Sequence, residues 1–149
     1  MTERPSIQAR LRRGFDPAEL RRIKRLWVRH SIAEDRQDID GLIATLSEEC
    51  VYEIVVTGQR WEGHTGARAF YAELFAAFPD NAFALSEIVV GPQGVFEVAT
   101  LTGTNQGLWA GVPASGLHVA LEVLILFPWD PVTERFTGER IWFDRGALP

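Results

Sequence analysis

Four acidic residues sit inside runs that otherwise read as β-structure: Glu53 in Val51-Tyr-Glu-Ile-Val-Val56, Glu97 in Val95-Phe-Glu-Val-Ala99, Glu122 in Val119-Ala-Leu-Glu-Val-Leu-Ile125, and Asp144 in Ile141-Trp-Phe-Asp144. Carboxylates are depleted in strands and are almost never fully buried without a partner. Each one therefore either faces solvent or is placed where its proton can be used. A carboxylate against an aromatic wall loses hydration, its pKa rises toward neutrality, and it becomes a general acid or base. Glu122 has the most apolar surroundings. On the last run, alternation puts Arg140, Trp142 and Asp144 on one side and Glu139, Ile141 and Phe143 on the other. Beside Trp142, Asp144 is a proton-transfer group; with Arg140 nearer, its pKa moves down and its role is structural.

Other chemistries find no residues to carry them. There is no Gly-rich phosphate loop, no GxSxG elbow and no HExxH pair. His30, His64 and His118 are too far apart in sequence and element to suggest a metal cluster, so no metal is expected. His30 reads as a core histidine on an apolar helix face, His64 as a polar residue at a helix start, and His118 opens a strand. The single cysteine, Cys50, allows no internal disulfide and no cysteine-based zinc site.

The elements that must position these groups are legible in outline. Asp16-Pro17-Ala18-Glu19 is a helix start, with a cap, a proline at the first position and an acid three residues on. That helix is predicted to run to about Glu34. A short helix over Ile39–Leu46 follows, then a strand over Cys50–Thr57, a turn at 61–66, and a third helix over Ala67–Phe78. Four strands come after Pro79: Ala82–Val90, Val95–Thr104, His118–Phe127 and Phe136–Asp144. Helices first and strands afterwards predict an α+β fold, a curved antiparallel sheet with three helices over one face and a pocket between. Trp61, Trp109 and Trp142 are candidate pocket walls. Asn105 and Gln106 are candidate donors to a ligand oxygen, and His118 is a further candidate contact.

With 149 residues the chain is read as one domain, residues 1–149, in which 1–15 form a flexible N-terminal arm. Its 46% apolar and 23% charged composition is that of a globular protein. The longest apolar run, 119–127, is too short to span a bilayer, and the first residues lack the apolar stretch of a signal peptide, so a soluble, cytoplasmic protein without a membrane partner is expected. Residues 1–30 carry nine basic and three acidic side chains, against six basic and seventeen acidic in the remainder. The basic side chains interleave with Leu20, Ile23 and Trp27 at helical spacing, which suits the solvated face of a helix better than a nucleic-acid arm. No nucleic-acid partner is expected. Strands apolar on both alternations predict a homodimer packed sheet to sheet.

Trp61-Glu-Gly-His-Thr-Gly-Ala-Arg-Ala-Phe-Tyr71, Phe78-Pro-Asp80, the stretch Thr102-Gly-Thr-Asn-Gln-Gly-Leu-Trp-Ala-Gly-Val-Pro-Ala-Ser-Gly116, and Phe143-Asp144 together resemble the SnoaL-like polyketide cyclases. Those belong to the NTF2-like superfamily of cone-shaped α+β barrels, and the resemblance spans residues 18–148. It implies an aspartate late in the final strand as acid/base, a position that Asp144 matches, and a cofactor-independent aldol closure of a hydrophobic, carbonyl-bearing small molecule. Ketosteroid isomerases of the superfamily place their base on the first strand, near Glu53, so Glu53 and Glu122 are the further catalytic candidates. Asn105-Gln106 stands where the family often has a histidine. An isomerase, a dehydratase, an epoxide hydrolase, or a non-catalytic ligand-binding or dimerisation module remain the alternatives. Which carboxylate faces the enclosed space distinguishes them.

Overall fold

The computed structural model describes residues 4–149. Ser6 caps a short helix, α1 (Ile7–Leu11), inside the segment expected to be an arm; residues 1–3 of that segment lie outside the described residues. Helix α2 (Pro17–Asp35) begins where the sequence placed it, with the Asp16 carboxylate accepting from the Ala18 amide at 2.9 Å. Glu19 does not close a capping box. Both its oxygens are held by Arg13 at 2.8 and 2.9 Å, and Arg13 also donates to the Pro92 carbonyl. Leu20, Ile23, Leu26, His30 and Ala33 recur every three or four residues and form the buried stripe of α2.

After α3 (Ile39–Ile43), strand β1 (Leu46–Ile54) pairs with a four-residue strand, β2 (Gln59–Glu62), whose last two residues fall in the expected turn at 61–66 and whose first two lie just before it. Helix α4 (Gly63–Ala77) then crosses the sheet. Strands β3 (Ala82–Gly91), β4 (Gly94–Thr104), β5 (His118–Asp130) and β6 (Arg135–Phe143) complete it in the order β2-β1-β6-β5-β4-β3. The sheet is not wholly antiparallel: β1 and β6 run parallel. Consecutive strands can close as hairpins, whereas β1 and β6 are separated by the whole intervening chain and are free to align in the same direction.

The core lies between the α2 stripe, the buried side of α4 (Ala67, Phe70, Tyr71, Leu74 and Ala77) and one face of the sheet. Val95, Ala99 and Leu101 of β4, Val119 to Phe127 of β5 on alternate positions, and Ile141 and Phe143 of β6 point inward. Each such aliphatic or aromatic side chain contributes about 1.5–3 kcal/mol by leaving water. Leu85, Ile88 and Val89 of the edge strand β3 remain exposed. Among the described residues no helix is long and apolar enough to cross a membrane.

Candidate active site

The inward face carries more than apolar side chains. The buried polar residues include His30, Thr45, Glu97 and Glu139, and no arginine or lysine is among those described. His30 continues the apolar stripe of α2 one turn before its end, so packing alone drives it inside. Its Nε2 lies 3.0 Å from Glu139 Oε1 and its Nδ1 lies 2.8 Å from Thr45 Oγ1. Tyr71 of α4 donates to the same Glu139 oxygen at 2.8 Å, and its hydroxyl is 2.7 Å from that of Tyr52 on β1. Glu34 follows His30 by four residues and therefore shares its helix face. As a residue Glu34 is only half-buried, but its carboxyl group is enclosed by protein. Ligand atoms of His30, Glu34 and Glu139 all fall within 4.8 Å of one another.

Glu34 and Glu139 form the polar edge of a cavity of about 20 Å³, room for a water-sized occupant. Phe70, Leu74, Leu101, Trp109 and Ile125 make up much of its apolar wall. Burial, then the charges of Glu139 and Glu97, raises the Glu34 pKa well above the ordinary carboxylate range. Burial followed by the Glu139 charge does the same to both tyrosines, which keeps them protonated donors. Glu97 accepts from the Trp27 indole at 3.0 Å, yet burial and the Glu139 charge push its pKa up to about 7.

That shift has a sign. An unfolded glutamate ionises near the ordinary value of 4.5, whereas the folded protein holds the Glu97 proton to about pH 7. The native state is therefore favoured below pH 4.5 and loses this advantage as the pH rises through 7, by up to about 3 kcal/mol. Urea unfolding at pH 5 and pH 8 is expected to show a decline for the wild type that Glu97→Gln reduces. An unchanged decline in the variant would remove Glu97 from the account.

The catalytic candidates named from sequence lie elsewhere. Asp144 is exposed just past the end of β6, where its carboxylate caps the 3-10 turn Arg145–Ala147 through the Gly146 amide at 2.9 Å. Glu122 is exposed on the outer face. Glu53 also lies on that face, 3.5 Å from Arg140 and 3.9 Å from Arg60. Asp144, Glu122 and Trp142 meet in an open outer hollow of about 300 Å³, with Arg140 stacked 5.0 Å from the Trp142 ring. Of the candidate ligand contacts, Trp109 lines the interior cavity and stacks on Phe143. Trp61 packs edge-on to Phe70 and does not line the cavity. Asn105 is buried but donates to the Pro113 carbonyl, holding its own loop. Gln106 and His118 are exposed.

Glu139, Glu34, Tyr52, Tyr71 and Thr45 were not singled out from sequence. The available signals were the i, i+4 spacing of His30 and Glu34 and the alternation that set Glu139 opposite Asp144. The expectation for His30, a core histidine with satisfied partners, matches its hydrogen bonds, and those partners make it part of the cluster.

The architecture recurs among solved structures. A protein of Jannaschia sp. CCS1 described as a SnoaL-like polyketide cyclase shares 25% identity, with 91% of this chain and 94% of that chain covered and a TM-score of 0.77. A SnoaL-like polyketide cyclase of Agrobacterium tumefaciens str. C58 shares 15%, with 85% and 94% covered and a TM-score of 0.70. A protein of Catenulispora acidiphila DSM 44928 with a ketosteroid isomerase-like fold shares 12%, with 83% and 88% covered and a TM-score of 0.68. No curated protein matches the chain in sequence. The profile of the SnoaL-like polyketide cyclases matches residues 20–148. The α+β architecture and this match agree, and the chain belongs to the SnoaL-like polyketide cyclase family.

Proposed function

We propose that the protein catalyses proton transfer on a neutral, largely apolar carbonyl compound, in a cyclisation or isomerisation carried out in the interior between α2, α4 and the sheet. The observation that carries this is the clustering of His30 with Glu34 and Glu139, the two carboxyl groups at the edge of an otherwise apolar cavity. Glu139, oriented by Tyr71 and His30, takes a proton from the carbon alpha to the carbonyl. The C–H electron pair becomes the enolate double bond, and charge develops on oxygen. Glu34, protonated to higher pH than an exposed glutamate, donates a hydrogen bond to that oxygen in a site shielded from water. In an isomerisation the proton on Glu139 returns to a different carbon. In a cyclisation the enolate carbon attacks a second carbonyl, and the proton goes to the new alkoxide.

Charge selects the substrate. An anionic ligand would enter beside three carboxyl groups with no buried arginine or lysine among the described residues to neutralise it, so the substrate is neutral. The cavity, with about 20 Å³ of free space, is smaller than any compound that could cyclise, so side chains such as Phe70, Leu74 and Trp109 must move apart on binding.

The test is exchange of alpha protons in D2O, followed by proton NMR over a panel of β-dicarbonyl compounds and α,β-unsaturated ketones. The wild type is expected to exchange at least one neutral panel member well above the buffer rate, and its carboxylate analogue no faster than buffer. A panel that exchanges only at the buffer rate would sink the reading. A second reading places the chemistry in the outer hollow, because Asp144 lines it beside Trp142 as an acid on an aromatic wall. It differs in which substitution stops the exchange.

A further inference from the structure

Thr45 follows α3 and is completely buried. Its hydroxyl has one hydrogen and two close neighbours, the Leu42 carbonyl oxygen at 2.6 Å and His30 Nδ1 at 2.8 Å. Two oxygens 2.6 Å apart need the hydrogen between them, so the hydroxyl donates to Leu42 and must accept from His30. Nδ1 therefore carries a hydrogen. A neutral imidazole has only one N–H, which leaves Nε2 as a bare lone pair facing Glu139 Oε1 at 3.0 Å.

The far side of the pair closes the accounting. Tyr52 Oη has no hydrogen-bond partner other than Tyr71 among the described residues, so its proton goes there, and Tyr71, whose hydroxyl lies 2.8 Å from Glu139 Oε1 and 3.1 Å from His30 Nε2, directs its own along the shorter contact to Glu139. Every hydroxyl hydrogen around the pair is thereby committed. The contact between Nε2 and Oε1 needs one more proton, carried by one atom or the other. The titratable groups facing this edge are Glu34 from α2, Tyr52 from β1, Tyr71 from α4 and Glu139 from β6, with Glu97 of β4 beyond them. Phe127 and Phe136 pack edge-on to the imidazole at 5.2 and 6.3 Å.

We propose that Thr45 is a positioning residue: by fixing a hydrogen on His30 Nδ1, it keeps one exchangeable proton on the edge between Nε2 and Glu139 that borders the cavity. Its part in turnover rests on the proton-transfer reading above; the tautomer does not. With the other tautomer, Nε2 would be a permanent donor to Glu139, Nδ1 would meet the Thr45 oxygen without a hydrogen, and the edge would lose its open acceptor.

Nitrogen-15 NMR of the histidine rings in the full-length wild type, Thr45→Val and Thr45→Ser tests this. In the wild type, Nδ1 of His30 is expected to carry a hydrogen. Thr45→Val is expected to mix or invert the tautomers and to lower kcat for alpha-proton exchange by roughly 10- to 100-fold, the usual cost of losing a group that orients a functional imidazole. Thr45→Ser, which keeps the hydroxyl, is expected to restore both. A wild-type ring with a bare Nδ1 overturns the proposal. So does an unchanged kcat in a Thr45→Val protein that unfolds at the wild-type temperature. A protein that shows the expected Nδ1–H but exchanges no carbonyl compound would refute the proton-transfer reading and leave the tautomer assignment standing.

Discussion

Replacing Glu139 by glutamine is expected to slow alpha-proton exchange by about 10²- to 10⁴-fold, the contribution typical of a positioned general base. The amide is isosteric, so the packing of β6 against α2 and α4 is retained and the loss reads as chemistry. The amide oxygen still accepts from Tyr71, but it cannot take up the substrate proton. The change has a second signature. The Glu139 charge helps raise the Glu97 pKa to about 7, so Glu97 is expected to titrate lower in the variant, as carbon-13 NMR of its carboxyl group would show. Asp144→Asn provides the contrast. Under the interior reading it leaves exchange near the wild-type rate and costs only part of a cap on the terminal 3-10 turn. Exchange lost in Asp144→Asn but kept in Glu139→Gln would move the chemistry to the outer hollow.

The contrast between these two acids also shows how far the sequence can be read. The four strands after Pro79, the start of α2 and the α+β class follow from local signals, caps, proline and β-branched runs, whereas the four-residue β2 does not. The inward side of a strand does not follow when both alternations are apolar. On β6 one side offers Trp142 and the other offers Ile141 and Phe143, and hydrophobicity alone does not choose between them. The same ambiguity made Glu122 look enclosed, although it points outward from a strand apolar on both faces. Glu53 faces Arg140 across the parallel β1–β6 pair, a pairing no local pattern announces. Glu34 sits in the polar end of α2, before Asp35 and Arg36, and looks solvated until α4 and β6 close over its carboxyl group. Only tertiary packing brings Glu34, Glu139 and Glu97 close enough to raise one another's proton affinities.

Gly138→Ala is expected to destabilise the protein by roughly 4 kcal/mol or more, the range reserved for forced overpacking of backbone against backbone. Gly138 has φ +113, and a Cβ built there would lie 1.9 Å from the Val51 carbonyl oxygen and 2.5 Å from its carbon. Those atoms belong to β1, so no flexible side chain can move aside. For a chain of this length the melting temperature is expected to fall by about 10 °C or more. Gly58→Ala is the control: φ is +76 but nothing lies within 4 Å of the added methyl, so only conformational strain of about 1 kcal/mol is expected. Similar melting points for the two variants would show that strain at positive φ, and not the clash with β1, is what matters. The glycine also sets the site. Residues 137–139 of β6 stand opposite only 127–128 of β5, a bulge with one extra residue. Phe136 faces inward, and without the extra residue strict alternation would turn Arg140 and Trp142 inward with it. The bulge reverses the parity, so Glu139, Ile141 and Phe143 follow Phe136 into the core. Any Gly138→Ala protein that stays folded by straightening β6 would carry Glu139 to the outer face. It is expected to lose alpha-proton exchange as completely as Glu139→Gln.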